Sequence, residues 1–394
     1  MSKALTGIRV LDLSRVLAGP FCTMILADLG AEVIKLEPTG SGDDSRSFGP
    51  FIKGESTYFL SLNRGKKSLT LNLRHQEGKS ILKQLVKHVD VLVENYRPGT
   101  MKKLELDYPV LAEENPRLIY SAISGFGQDG PYRGKRAYDF IVQGMGGMMK
   151  LNAHPDGPPT RIPIGLGDIT AGLFAAVGIL AAVREREISG RGQMIDVAML
   201  DCQVAILENP IIRFFAGDKP KPLGNTHPTI SPTGGFPTKD GYIIIAVGND
   251  NHWKTFCQAV EREEWIIDPR FITNAKRSEN MPKLRELLEE LFGGHNTAHW
   301  MEVLEKEGIP CGPVNSIEQV VNDPNVAFRE MIVNLRHPVA GDVKMSGLPI
   351  KLSRTPGRAS VPPPILGQHS AEVLESLLGF TKDKIDDLKQ KGVL

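Results

Sequence analysis

Apolar and polar positions change their period repeatedly over the first 125 residues. Residues 8–13 (IRVLDL) read as a buried strand, 18–29 as a helix and 32–36 (EVIKL) as a second strand, together a βαβ unit. Strand-like runs return at 68–73, 89–94 and 118–124, with a helical pattern at 76–87. This alternation predicts a doubly wound α/β domain, whose ligands bind beyond the carboxyl ends of the strands. Those ends fall near 14–19, 37–45, 95–100 and 124–130.

Residues 193–201 then pass from strand into helix, after which Pro210, Gly217 and the prolines up to Pro237 carry the chain through irregular segments. A strand at 241–247 and helices at 252–260, 281–292 and 297–307 predict a smaller α/β domain. Pro362, Pro363 and Pro364 predict an extended arm ahead of an amphipathic stretch at 370–378. The expected organisation is a large domain over 1–205, a linker over 206–225, a small domain over 226–320 and a C-terminal segment over 321–394.

Length agrees with more than one domain, because 394 residues exceed the roughly 250–300 at which single cores usually split. With 47 basic and 46 acidic residues the net charge is +1, which argues against general affinity for nucleic acid or a membrane. Cys22, Cys202, Cys257 and Cys311 are far apart and lack ligand spacing, so neither a disulfide framework nor a zinc site is expected. The first residues, MSKALTGIRVLDLS, lack the layout of a secretory or transit peptide. The longest apolar run, 169–183, is short for a bilayer span and carries Thr170, Gly172 and Gly178. A soluble, cytoplasmic protein is the expectation.

Several chemistries are disfavoured by missing motifs. Ser14 to Pro20, after the first strand, contains no GxGxxG, so an NAD-dependent dehydrogenase is not expected. Gly65-Lys66-Lys67-Ser68 is not a Walker A loop, and a GxSxG serine elbow is missing. His295 and His299 lack an intervening acid, and no metal is called for. Ser124 to Gly127 reads as a glycine-rich turn closing a strand.

Asp168 stands out as the only ionisable residue between Ile162 and Val183. One reading makes it the N-cap of the helix-like run that follows. A second makes it a nucleophile, with Gly165 and Gly167 clearing side chains from the approach of a bulky acyl group. The two are compatible, since a capped carboxylate stays ionised.

Read together, GIRVLDL from Gly7 with Ala18-Gly19-Pro20, LGAEVIKLE from Leu29 and Gly42-Asp43 resemble the class III CoA-transferases. VENYRPG from Val93, GFGQDGP from Gly125, Asp168 with Gly172, GRGQ from Gly190, GIPCGPV from Gly308 and LGQH from Leu366 follow in that family's order. The resemblance covers nearly the whole chain. It implies an interlocked homodimer, a Rossmann-like large domain built from both chain ends, and a small domain between them.

The resemblance further implies that Asp168 attacks an acyl-CoA thioester, forming a mixed anhydride and then an aspartyl-CoA thioester. Asp139 would orient groups or handle a proton. Val16, Leu17 and Ala18 would line the coenzyme A site, with Leu71, Asn95, Lys103, Leu104 and Arg136 near the pantetheine or phosphates. Coenzyme A enters as acyl-CoA substrate, beside a carboxylic acid. Leu17 stands where formyl-transferring relatives carry a catalytic glutamine, Pro38 where they carry an arginine, and only Gly234 and Gly235 lie where their glycine-rich flap would be. These departures count against formate or oxalate as the acid.

RVLAGPF, GDDSRSFGPF, ESTYFLSLNRGKKS and ENYRPG are most similar to the branch that uses succinate, glutarate, hydroxymethylglutarate and related dicarboxylates. A distal carboxylate would want an arginine, for which Arg46, Arg97 and Arg161 are available. Two alternatives accompany this reading. An α-methylacyl-CoA racemase would need a histidine where Tyr138 stands, and a non-catalytic CoA-binding protein would keep the fold without the chemistry.

Overall fold

Successive residues of the first strand enter different cores: Val10 packs on one face of a sheet and Leu11 on the other, both fully buried. A sheet covered on both faces needs near-continuous apolar strands, which is why IRVLDL lacks a polar alternation. The computed structural model describes residues 3–394. Its central sheet contains β1 (Arg9–Asp12), β2 (Glu32–Glu37), β3 (Lys66–Thr70), β4 (Val91–Glu94), β5 (Ile119–Ser124) and β6 (Met194–Ala198). All five neighbouring pairs are parallel, in the order β3-β2-β1-β4-β5-β6. The order reverses between β1 and β4, and this is where open parallel sheets form a crevice at their carboxyl ends.

Helices α1 (Ala18–Asp28) and α2 (Leu166–Ser189) cover the Val10 face. Nearly every residue of α1 is buried, so its sequence is apolar all round. The Leu11 face is covered by the helix Gln76–Val86 and by the C-terminal helices Ser370–Leu378 and Lys382–Gln390. The proline arm leads the chain there: Gly65 donates to the Val361 carbonyl at 3.0 Å, and the amides of Gly367 and His369 reach Ser68 on the edge strand β3 at 2.8 and 2.9 Å.

By contact the chain divides into two compact units, one of 1–148, 161–216 and 324–394, the other of 149–160 and 217–323. The second unit has its own three-stranded antiparallel sheet, Thr233–Pro237, Tyr242–Ala246 and Cys311–Pro313, and a core around Trp253, Phe256 and Phe292. The segment read from sequence as a linker holds a helix at Glu208–Phe215, formed despite Pro210 because proline is tolerated in a first turn.

Two expectations about the Asp168 helix need correction. It begins at Leu166 with Gly165 as its N-cap, so Asp168 lies inside the first turn and is not the cap. It also runs for 24 residues, long and apolar enough by length and composition to cross a bilayer, because it continues past Val183 to Ser189. Ala171, Ala175, Ile179 and Ala182 are nevertheless buried in the core, and Arg186 near its end donates to Asp90 at 2.9 Å.

Candidate active site

Asp168 is carried to the crevice side of the sheet by close approach of α1 and α2. Gly172 makes this possible, because a Cβ there would stand 2.6 Å from the Ala18 carbonyl oxygen. A Cβ on Gly165 would stand 2.5 Å from Leu17 Cδ2 and 3.5 Å from Asp168 Oδ2, so Leu17 and the Asp168 carboxylate meet across a glycine. Among the described residues the Asp168 carboxylate has no hydrogen-bond partner or ion pair. Burial, followed by repulsion from Asp139, pushes its pKa up to about 7. The group is thus held near the balance between acid and carboxylate.

Asp139 opens a short helix, Asp139–Met145. Its Oδ1 accepts the Gly167 amide at 2.7 Å and its Oδ2 accepts Gln143 Nε2 at 2.8 Å. Gln143 is fully buried and also bonds the chain leading into Asp168: its Nε2 donates to the carbonyls of Ile162 and Ile164 at 3.2 and 3.1 Å, and its Oε1 accepts the Ile162 amide at 2.9 Å. Tyr58 is a further neighbour. Burial raises its pKa first, and Asp168, Asp139 and Asp43 raise it further, so the phenol stays protonated. Neither Gln143 nor Tyr58 was assigned a role from sequence. Gln143 lies four residues after Asp139, a helical spacing that could have pointed to it.

The turn after β1 forms the opposite wall. Val16 has φ +67°, Leu17 is the N-cap of α1, and Ala18 is buried at its first turn. Asn95, just beyond β4, bridges the switch point by accepting the Arg15 amide at 2.8 Å and donating to the Arg15 carbonyl at 2.7 Å. Val16, Leu17, Ala18, Asn95, Asp139 and Asp168 therefore belong to one connected constellation. Leu71, just past β3, buries its side chain in the core and can offer a ligand only backbone. Lys103 and Arg136 are exposed, and Leu104 packs beside the core. No contact ties these four to Asp168.

The three arginines differ in freedom. Arg46 is engaged by Glu37 through two bonds of 2.7 and 2.8 Å and lies 3.6 Å over the Phe59 ring. Arg97 lines a cavity of about 160 Å³ beside the buried Glu94, whose pKa burial pushes up to about 7. Arg161 is exposed, meets the Pro163 carbonyl at 3.3 Å and the Phe140 ring at 5.4 Å with no ion pair among the described residues, and stands at the start of the segment entering Asp168. Tyr138 is 75% exposed. Gly234 and Gly235 lie within a strand of the second unit, paired to Ile245 and Ile244. Among the described residues no cluster of three metal-ligating side chains occurs.

Comparison with known proteins gives concordant results. Residues 5–370 match the profile of CoA-transferase family III. The chain is 40% identical over 394 residues to a succinyl-CoA:glutarate CoA-transferase of Mus musculus, covering 100% of this chain and 90% of that protein. It is 42% identical over 349 residues to an acetyl-CoA:oxalate CoA-transferase of Acetobacter aceti, covering 88% of each. The crystal structure of a CAIB/BAIF family protein from Brucella suis superposes with a TM-score of 0.87 at 37% identity, over 96% of this chain and 100% of that one.

Proposed function

The chain belongs to CoA-transferase family III, and from that premise we propose that it moves coenzyme A from succinyl-CoA to a dicarboxylic acid through covalent intermediates on Asp168. The observation that carries the assignment is the carboxylate itself: partly buried, without a bonding partner, and flanked by glycine on the side facing Leu17. A carboxylate engaged by an arginine would be a poor nucleophile; this one is unencumbered.

An Asp168 oxygen attacks the thioester carbon, the C–S bond breaks, and CoA leaves as thiolate, giving a mixed anhydride. The thiolate attacks Cγ of Asp168 and releases the donor acid as carboxylate. The acceptor carboxylate then attacks the same Cγ and displaces the thiolate. Finally the thiolate takes the acceptor acyl carbon and regenerates the Asp168 carboxylate. No proton and no ATP is consumed. Asp139, with both oxygens engaged, orients the first turn of α2, and the Tyr58 phenol, kept protonated by burial and by the charges of Asp168 and Asp139, adds no competing negative charge.

Arg46 is committed to Glu37, which leaves Arg161, at the start of the segment entering Asp168, and Arg97, on the cavity beside Glu94, to meet a distal carboxylate; Arg161 is the nearer to Asp168 along the chain. The oxalate-using relative brings the shortest dicarboxylate into the acceptor set despite the departures at Leu17 and Pro38. Exposed Phe214, Phe215 and Phe328 support a partner surface, in keeping with an interlocked homodimer whose Rossmann-like large domain is made from both chain ends. The test is incubation of succinyl-CoA with glutarate, oxalate and a panel of other acids. New CoA esters, together with hydroxylamine inactivation that requires acyl-CoA and maps to Asp168, are expected. Ester formation by an Asp168→Ala variant at the wild-type rate would sink the assignment.

A further inference from the structure

Val16 holds a left-handed backbone, φ +67°, that a β-branched residue adopts only where its surroundings over-determine it. Three sets of bonds do so. The Val16 amide donates to Asp43 Oδ1 and Oδ2 at 3.1 and 3.3 Å. Lys35 Nζ lies 2.8 Å from Asp43 Oδ2 and donates to the Ser14 carbonyl at 2.8 Å. Asn95 grips both backbone groups of Arg15 between them. Asp43 is itself fixed, taking the Ser45 amide and hydroxyl at 2.9 and 2.7 Å, while its own amide donates to Glu37 Oε2 at 3.0 Å.

Both members of the pair are buried, 2% exposed for Asp43 and 0% for Lys35. Burying two charges is costly, and an apolar pair of similar volume often serves stability as well or better. What an apolar pair cannot do is bond the Val16 amide and the Ser14 carbonyl from opposite directions. The turn they hold is the one that sets Leu17 against Gly165 and the Asp168 carboxylate.

We infer that Asp43 and Lys35 are positioning residues, which hold the strained Val16–Ala18 turn against Asp168 so that a bound thioester reaches the carboxylate in reactive register. The inference rests on the reading of Asp168 as the acylated group. Neither residue touches the reacting atoms; both act through the backbone of the turn.

The test is the rate at which hydroxylamine inactivates the full-length enzyme in the presence of succinyl-CoA, measured per folded molecule across succinyl-CoA concentrations. Asp43→Asn is compared with Asp43→Asn/Lys35→Met, in which both buried charges are removed together so that the fold survives. At saturating succinyl-CoA the double variant should be trapped about ten- to a hundredfold more slowly, the size of effect expected from a misplaced reactive group. More substrate should not restore the rate. A wild-type rate per folded molecule, recovery at high succinyl-CoA, or a double variant that does not fold would each overturn the inference. A wild-type enzyme that shows no Asp168 adduct would instead overturn the reading beneath it.

Discussion

The amide of Gly167 donates to Oδ1 of Asp139 over 2.7 Å, so the residue immediately before Asp168 is pinned by the same carboxylate whose charge raises the Asp168 pKa. One side chain thus fixes the position of the nucleophile and tunes its acidity. Asp139→Asn keeps an acceptor for Gly167 and removes the charge, though its amide nitrogen can no longer accept from Gln143, so the Asp168 pKa should fall, without returning to its usual value because burial is the larger cause. The acid limb of kcat/KM for succinyl-CoA should move to lower pH; an unmoved limb would show that Asp139 does not act on Asp168 electrostatically.

Only the ionised form of Asp168 can attack. With a pKa near 7, kcat/KM for succinyl-CoA should rise with pH through about 7 and then level off. Stability should run the other way. Asp168 binds its proton more tightly folded than unfolded, so its contribution is fully present below the ordinary aspartate value of 3.8 and is lost as pH rises through about 7. An Asp168→Asn variant should therefore gain on wild type progressively between those limits, with a Tm higher by roughly 3–6 °C at about pH 8, given about 1.4 kcal/mol per pKa unit, and little changed at the acid end. A variant that melts lower than wild type at pH 8 would remove the case for a desolvated, unpartnered carboxylate.

Gly165 separates Leu17 from Asp168 by less than a methyl group. Gly165→Ala places a Cβ 2.5 Å from Leu17 Cδ2, and since the obstacle is the end of a flexible side chain the fold should tolerate it. Displaced leucine then narrows the approach to the carboxylate. A tenfold or larger loss of kcat/KM, about 1.4 kcal/mol or more of transition-state stabilisation, is expected with a near-wild-type melting point. Gly172→Ala is the harsher change, because its Cβ meets the Ala18 carbonyl at 2.6 Å and backbone must move. It should lower Tm as well as activity.

Much of this arrangement was legible in the chain, and the rest was hidden for physical reasons. The strands β1, β2, β4 and β5 declared themselves because a sheet covered on both faces is apolar over most of each strand, with its buried charges few, and Asp168 did because a carboxylate in apolar surroundings is costly. The start of α2 was misplaced by three residues: Gly165 caps with backbone alone and leaves no side-chain signature. The helix Asp139–Met145 was missed because seven residues ending in glycines give too little periodicity. Gln143 was hidden for a different reason. Its partners at Ile162 and Ile164 are distant in sequence, and the only local signal is its place four residues after Asp139.

That buried glutamine supplies the last prediction. Gln143 offers two donors and one acceptor to a site that presents three acceptors, Asp139 Oδ2 and the carbonyls of Ile162 and Ile164, and one donor, the Ile162 amide. Gln143→Leu would leave those partly buried groups without their partner, at a cost of about 2–4 kcal/mol in total, given roughly 1–3 kcal/mol per stranded group, some access to water and incomplete additivity. Gln143→Glu keeps the shape and the acceptor but cannot donate when ionised, and it would face a carboxylate and two carbonyls. Its folded pKa should rise above the ordinary glutamate value, so the folded state binds the extra proton and stability is retained at low pH and lost as pH rises. Melting curves should then show Gln143→Glu close to wild type at about pH 5 and well below it at about pH 8, whereas Gln143→Leu is destabilised at both. Parallel pH dependence for the two variants would mean that the amide does not donate to Asp139, and the account of how Asp168 is held would have to be rebuilt.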